Sequence, residues 1–306
     1  MKAICLHKSG GPEALIYDEA PQPHPKEGEV LIRVDAAGVT PTEFEWAPTW
    51  VTRTGEKRHF PIILGHEFSG VVAALGPGVT GVTEGASVYG LNDWFENGTQ
   101  AEYCITRPEE LAPKPQSIDH VQAAAVPIAA LTAWQGLFDR ARLATGQSVL
   151  IHGAAGSVGS FAVQFAHWRG AHVIGTASTH NIDFVHDLGA DKVVDYKATR
   201  FEDVVQDVDV VFDTVGSETL ERSWWVLKPG GKLVTIATQS KEIENPALRD
   251  AFFIVEANRS QLIKIARLID SGRTRPIVDT VFPLSQGYQA YERKPTRGKI
   301  VLRVVS

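Results

Sequence analysis

Cysteine is nearly missing from this chain. Cys5 and Cys104 are the only two in 306 residues, so there is neither a disulfide framework nor a Cys-x-x-Cys metal pair. Charge of one sign is not concentrated anywhere: 30 basic residues against 36 acidic ones leave a net charge of −6 without like-charge runs. That excludes an electrostatic nucleic-acid surface and a nucleic-acid partner. Long apolar runs are also lacking. The longest, over 121–138, is interrupted by Gln122, Pro127 and Thr132 and reads as a buried helix, not a membrane span. The first ten residues have no apolar core of a secretory signal, which points to a cytoplasmic protein without a membrane partner. What is present, 43% hydrophobic and 22% charged residues, suits a packed globular chain, and the length suits two domains of roughly 150 residues each.

The first 115 or so residues have a β texture. Short apolar runs (Val30–Val34, Gly70–Leu75, Glu102–Thr106) alternate with turn formers such as Gly76-Pro77-Gly78, and the stretch closes on Pro108, Pro113 and Pro115. At Ser117 the texture changes, and Ser117 is expected to cap a helix running through Ala123–Ala125 towards Phe138. Strand-like runs then alternate with helix-length segments. Ser148–His152, His172–Thr176, Lys192–Val194, Val208–Asp213 and Lys232–Ala237 read as strands, with helices over 157–168 and 182–188. This order predicts a parallel sheet with helices on both faces. Ala251–Val255 reads as a sixth, edge strand and Ser260–Ile269 as an amphipathic helix, before the β texture returns in Ile277–Phe282 and Lys299–Val304. The fold class is therefore α/β: a doubly wound parallel sheet over 118–272, inserted in a β-rich domain made of 1–117 and 273–306. Pairing of the edge strand with its two-fold mate predicts a homodimer.

The strongest local signal is His152-Gly153-Ala154-Ala155-Gly156-Ser157-Val158-Gly159, between a strand and a helix. Gly156 lets backbone approach a pyrophosphate, Gly159 lets helix and strand pack closely, and the helix start offers unpaired N–H groups to phosphate oxygens. Ala154 replaces the first glycine of G-x-G-x-x-G. An ordinary tight βα turn is the alternative, but the βαβ setting favours dinucleotide binding. An NAD site carries an acid at the end of the second strand, whereas here Thr176-Ala177-Ser178-Thr179-His180-Asn181 has none. Ser178 and Asn181 can donate hydrogen bonds and His180 adds charge when protonated, so NADPH is the expected cofactor.

Taken with further motifs, the chain resembles the zinc-free quinone oxidoreductase branch of the medium-chain dehydrogenase/reductase superfamily over nearly its full length. The motifs are Ala36-Ala37-Gly38-Val39-Thr40-Pro41, Leu64 to Val72 (LGHEFSGVV), Gly98 to Tyr103 (GTQAEY), Ala129 to Trp134 (AALTAW), the glycine loop, Asp191–Tyr196, Leu227 to Lys232 (LKPGGK) and Gly298 to Leu302 (GKIVL). The resemblance implies a GroES-like catalytic domain and a Rossmann domain with cofactor in the cleft between them. It also implies hydride transfer from NADPH to quinones or α,β-unsaturated carbonyls. Thr132 matches a contact to the nicotinamide end, Ala155, Gly156, Ser157 and Val158 the pyrophosphate loop, and Ser178 and Tyr196 the 2′-phosphate end. Val215 and Ala237 complete the expected cofactor contacts, with His180 and Asn181. Where the family often has Arg or Lys after the second strand, this chain has His180.

Zinc-dependent relatives use Cys, His (often with Glu) and Cys. Here His66-Glu67 is kept, Thr40 stands at the first thiolate position, and alanines and Ile128 fill the region of the last ligand. One imidazole and one carboxylate fall short of a three-ligand catalytic site, so no metal is expected and His66 reads as a structural hydrogen-bonding residue. A quinone or enone is already a good hydride acceptor, so the protein needs chiefly to place it, without an obligatory acid–base side chain. Thr40, Glu43 and Tyr103 are the candidates for orienting it. Trp46, Trp50 and Trp94 are the expected pocket walls for a planar acceptor, the alternative being core or subunit packing. Two other functional readings stand beside this one. The first is a carbon–carbon double-bond reductase for one enal or enoyl substrate; the second is a low-turnover NADPH-binding redox sensor.

Overall fold

The computed structural model describes residues 1–237 and 250–305. They form two compact units: Met1–Ile128, Ala257–Gly272 and Pro276–Ser306 in the first, Ala129–Glu256 and Arg273–Arg275 in the second. In the first unit β1 (Lys2–Leu6) pairs antiparallel with β2 (Leu15–Glu19) and, on its other side, with β4 (Ile62–Ile63). A larger sheet is centred on β3 (Val30–Val39), which lies antiparallel to β5 (Glu67–Leu75); β6 (Ser87–Leu91) and β8 (Leu111–Pro113) extend it, and β7 (Tyr103–Thr106) pairs with the first half of β3. The β3–β5 register shifts between Val34 and Ala36. Gly70 meets that irregularity: a Cβ there would lie 2.2 Å from the Arg33 carbonyl oxygen, so only glycine lets the two strands close. Val30, Ile32, Val34, Phe68, Val72, Val88, Cys104 and Leu111 form a core on this sheet, and Ile4, Leu6, Val39, Ile62, Leu64, Ile300 and Leu302 form a second one.

The expected helix from Ser117 is shorter and differently capped. Asp119 is the cap: its carboxylate accepts from Gln122 N at 2.8 Å, and the helix spans only His120–Ala124. Ser117 instead donates its N–H and Oγ–H to Asp270. Pro127, which lacks an N–H and disfavours helix before it, opens a separate helix, Pro127–Trp134, that continues as wider π-type turns over Gln135–Arg140.

In the second unit β9 (Ser148–Ile151), β10 (His172–Ala177), β11 (Lys192–Asp195), β12 (Val208–Asp213) and β13 (Leu227–Thr235) make one all-parallel sheet of order β11-β10-β9-β12-β13. Helices Ser157–Arg169, Ile182–Asp187 and Ser217–Ser223 connect them. The strands are short, apolar and β-branched because both faces are covered. The expected sixth strand is reduced to a single bridge: Thr235 N donates to Ala251 O (3.0 Å) and Phe253 N to Thr235 O (3.2 Å), after which the chain leaves the edge.

The chain then returns to the first unit. The helix Arg259–Asp270 is amphipathic as expected and buries Leu262, Ile265, Ala266 and Ile269. It packs with the β-rich unit: Tyr89 donates to Leu262 O at 2.7 Å, and Arg259 to Pro108 O and Leu111 O. Strands β14 (Val278–Pro283) and β15 (Lys299–Arg303) close the large sheet, β15 lying antiparallel to β3. Ala124 and Ala125 pack with Ala36 and Val301 of the same sheet. Packing thus groups 118–128 and 257–272 with the β-rich unit, whereas texture put the divisions at Ser117 and Gly272. A helix carries a helix texture whichever unit its apolar face is buried in. Among the described residues no helix is long and apolar enough to cross a membrane.

Candidate active site

In the second unit the glycine loop follows β9 directly. Gly153 has φ +68°, and a Cβ on it would meet Thr214 Oγ1 at 2.4 Å. A Cβ on Gly159 would lie 2.2 Å from Gly153 O, which is the close helix–strand approach expected of it. Over Gly156, by contrast, a Cβ would meet only Gly153 O, at 3.2 Å. Gly156 is the N-cap of helix Ser157–Arg169 and no side chain caps that helix, so its first N–H groups are left for an external acceptor. An open approach over glycine backbone at an uncapped helix start fits a pyrophosphate.

The other expected cofactor residues lie at the carboxyl ends of the parallel strands, where an open α/β sheet binds its ligands. Ser178 follows β10, Tyr196 follows β11, Val215 lies just beyond β12 and Ala237 just beyond β13. Ala155 is buried beside the loop, and Thr132 is buried within its own helix. Tyr196 and Val215 are exposed. Ser178 Oγ bonds His180 Nε2 (3.3 Å) and accepts from Asn181 Nδ2 (3.2 Å), so the three residues after β10 form one cluster. An acid is nearby after all, supplied by β11: Asp195 accepts from Thr179 Oγ1 (2.6 Å) and Lys197 N (2.9 Å), bonds that hold its carboxyl below the usual range.

Two buried groups behind the loop went unnoticed in the sequence. His152 bonds Thr176 Oγ1 (3.2 Å) and Ser223 Oγ (3.0 Å); burial, with the Arg222 cation nearby, lowers its pKa to about 3. Asp213 accepts from Val215 N, Gly216 N and Thr235 Oγ1 and so fixes the ends of β12 and β13; burial still raises its pKa. A polar residue ending an apolar strand was the available signal for both.

In the first unit Thr40, at the end of β3, accepts a hydrogen bond from Lys299 Nζ at 2.8 Å. Lys299 also pairs with Glu67 Oε1, and Glu67 Oε2 accepts from Ile128 N at 2.9 Å. Lys299, only 4% exposed, is the residue the sequence reading passed over. A lysine opening the apolar run Lys299–Leu302 of a buried strand needs a buried carboxylate, and that was its signal.

Glu43 is corrected from its expected role in orienting substrate. It is 1% exposed and accepts from Gly65 N (2.8 Å) and Tyr291 OH (3.0 Å), with His66 Nε2 at 3.3 Å. Its lone pairs face inward, so it braces the Gly65–His66 loop. His66 Nδ1 bonds Asn92 Oδ1 at 3.2 Å, which makes this histidine part of a buried polar network. Tyr103 does not share a site with Thr40 either. It pairs with Arg33, seven residues before Thr40 along β3, which is about 20 Å at the rise of a strand. Of the three expected wall residues, Trp46 and Trp94 meet edge to face (centroids 5.3 Å), with the His66 ring 5.0 Å from Trp94. Trp50 stands apart: it packs on the Ile4–Leu6 core and donates Nε1–H to Phe44 O at 2.7 Å. Among the described residues no three His, Cys, Asp or Glu side chains are grouped to hold a metal ion.

Residues 26–116 match the alcohol dehydrogenase GroES-like domain model and residues 188–302 the zinc-binding dehydrogenase model. The chain is 34% identical to the "NADPH-dependent alkenal/one oxidoreductase, chloroplastic" of Arabidopsis thaliana, over 99% of this chain and 79% of that protein. It is 34% identical to the "Probable zinc-binding oxidoreductase, mitochondrial" of Arthroderma benhamiae, over 93% of this chain and 91% of that one. Among solved structures, the quinone oxidoreductase of Coxiella burnetii superposes with a TM-score of 0.89 at 31% identity, covering 100% and 99% of the two chains.

Proposed function

We propose, from the premise that the chain belongs to the medium-chain dehydrogenase/reductase superfamily, that this oxidoreductase uses NADPH to reduce quinones and α,β-unsaturated carbonyls without a catalytic zinc. Bound NADPH supplies the hydride. The chain's own residues hold its pyrophosphate at the start of helix Ser157–Arg169, hold the 2′-phosphate at the Ser178–His180–Asn181 cluster, and wall the acceptor with Trp46 and Trp94.

One observation carries the metal-independent reading: the Lys299 ammonium bonds Thr40 and pairs with Glu67. A cation added beside that buried ammonium would meet like-charge repulsion, and its carboxylate ligand is already taken. The alkenal/one and quinone activities named for the relatives support the substrate class. The two buried free thiols suit a reducing compartment such as the cytoplasm. A homodimer joined through the sheet-edge segment Ala251–Val255 is the expected assembly, and a monomeric mass in light scattering would remove it.

The deciding experiment follows NADPH and NADH oxidation against ortho-quinones, para-quinones and short enones, with and without a chelator. Turnover that prefers NADPH and ignores the chelator is expected. Loss of activity with chelator would overturn the metal-independent reading, and tight NADPH binding without turnover would favour the sensor reading. His180→Arg tests the 2′-phosphate assignment. A permanent guanidinium there should raise the preference for NADPH over NADH about tenfold, the worth of roughly one charge-assisted hydrogen bond. An unchanged ratio of kcat/KM values would place the phosphate elsewhere.

A further inference from the structure

The register of the large sheet puts a cation across from a hydroxyl. Ile300 pairs with Val39 in the antiparallel β15–β3 ladder, so Lys299 falls opposite Thr40. The Lys299 Nζ to Thr40 Oγ1 distance is 2.8 Å. An ammonium has donors and no lone pair to accept with, so the threonine oxygen is the acceptor in this bond. The proton of the Thr40 hydroxyl must then point away from Lys299. Thr40 is also the N-cap of the turn Pro41–Glu45, but its side chain makes no cap bond. Among the described residues no acceptor takes its O–H, and Thr40 is half-buried while Lys299 and Glu67 are buried.

The carboxylate of Glu67 fixes the ammonium from the other side, and Ile128 N fixes the carboxylate. Gly38 makes room for this: a Cβ there would lie 2.3 Å from Glu67 Oε1. Three strands thus hold an ordered line, carboxylate to ammonium to hydroxyl, whose outer end is an O–H donor.

We propose that Lys299 is the positioning residue that makes the Thr40 hydroxyl a one-way hydrogen-bond donor to the carbonyl oxygen of an enone or quinone. The proposal rests on the reductase reading and deepens it. Hydride adds to the β-carbon of the enone, the π electrons move onto the carbonyl oxygen, and the cofactor leaves as NADP⁺. The new oxyanion accepts from Thr40 while water protonates the α-carbon of the enolate and the hydroxide left behind takes a solvent proton, so enone, NADPH and a proton give saturated ketone and NADP⁺. Charge on that oxygen grows along the reaction. A donor backed by a fixed ammonium therefore stabilises the transition state more than the ground state and acts on kcat more than on KM.

The test compares Thr40→Val, Thr40→Ser, Lys299→Met and Lys299→Arg. Their kcat and KM are measured with a short enone, together with NADPH affinity and melting temperature. A second readout needs no turnover: the ionisation of 4-nitrophenol, an oxyanion mimic, followed by its absorbance when bound to protein with NADP⁺. Thr40→Val should lower kcat roughly 100-fold with little change in KM, NADPH affinity or melting, as loss of one oxyanion donor does. Thr40→Ser recovers most of that loss. Lys299→Met should match Thr40→Val in kcat, the double variant should be no slower than either, and both single variants should lose the stabilisation of bound nitrophenolate. If Lys299 only ties strands together, its Met variant lowers melting while Thr40→Val keeps wild-type kcat and nitrophenolate binding, which overturns the proposal. Should Lys299→Met fail to fold, Thr40→Val and Lys299→Arg decide alone. A wild-type protein that reduces no enone sinks the reductase reading, and the nitrophenol series still judges the donor.

Discussion

Gly159→Ala should abolish useful NADPH binding, lowering affinity at least about 100-fold. The added Cβ would sit 2.2 Å from Gly153 O and 2.8 Å from Ala154 Cα, and both are backbone atoms of the loop itself. Neither can move aside as a flexible side chain would, so the helix start and the loop must separate. The N–H groups proposed to hold the pyrophosphate then no longer converge. Overpacking of this kind also costs about 1–3 kcal/mol of stability, so the melting temperature should fall together with the affinity. Gly156→Ala is the informative partner, because its Cβ would meet only Gly153 O, at 3.2 Å. The fold should tolerate that methyl while the cofactor does not: affinity falls and melting stays. Titration of each variant with NADPH by fluorescence, beside a thermal melt, separates the two effects. Wild-type affinity in Gly156→Ala would mean that the pyrophosphate does not lie over this turn.

Acid should destabilise the second unit well before its carboxylates titrate, and His152 is the reason. Its native pKa is lowered to about 3 from 6.5, first by burial and then by the Arg222 cation, with Glu202 pulling weakly the other way. Below pH 6.5 the unfolded chain binds a proton that the native ring refuses, so stability falls with decreasing pH until about pH 3. The slope approaches 1.4 kcal/mol per pH unit and the total is about 5 kcal/mol. Glu202 adds to the loss only later. Burial raises its pKa, but its backbone bond and Arg222 and Arg200 outweigh that and hold it at about 2, so its contribution is present above 4.5 and disappears between 4.5 and 2. Between pH 6.5 and 4.5 the wild-type slope also carries His120, lowered by burial, and Glu110 and Asp213, raised by burial and acting in the opposite sense, so the difference from His152→Asn is what isolates His152. Urea unfolding across that window should show the slope in the wild type and a much flatter line in His152→Asn. Equal slopes in both would mean that the ring is not the group responsible.

The glycine loop and the strands of the second unit were legible in the sequence because their causes are local. A glycine whose backbone must approach another chain, a helix start without a cap and an apolar β-branched strand are all set by neighbours within about 10 residues. Hence the loop 153–159 lies between a strand and a helix as expected, and Ser178, His180 and Asn181 are hydrogen-bonded to one another after β10. The helix from Ser117 was misread at its start and its end. Both Ser117 and Asp119 can cap, and the choice was settled by Asp270, 153 residues away, which takes Ser117 for itself.

The polar and aromatic residues of the β-rich unit were read less well, for the same kind of reason. A sequence shows that Glu43 can ionise but not which way it faces. Only the fold turns it inward onto Gly65, His66 and Tyr291. Trp50 has the same ring as Trp46 and lies four residues further on, yet it packs on the core while Trp46 meets Trp94.

Residue type and short spacing, then, determined an α/β chain with a glycine loop between a strand and a helix and with only two cysteines. What only the tertiary structure decided is the polar interior of the β-rich unit, above all the meeting of Thr40, Glu67 and Lys299. These three come from strand ends as far apart as 259 residues, and the antiparallel register of β15 on β3 brings the lysine to the threonine. A buried ammonium is stable only where a carboxylate and an acceptor are supplied together, and pairing of distant strands is what supplies them.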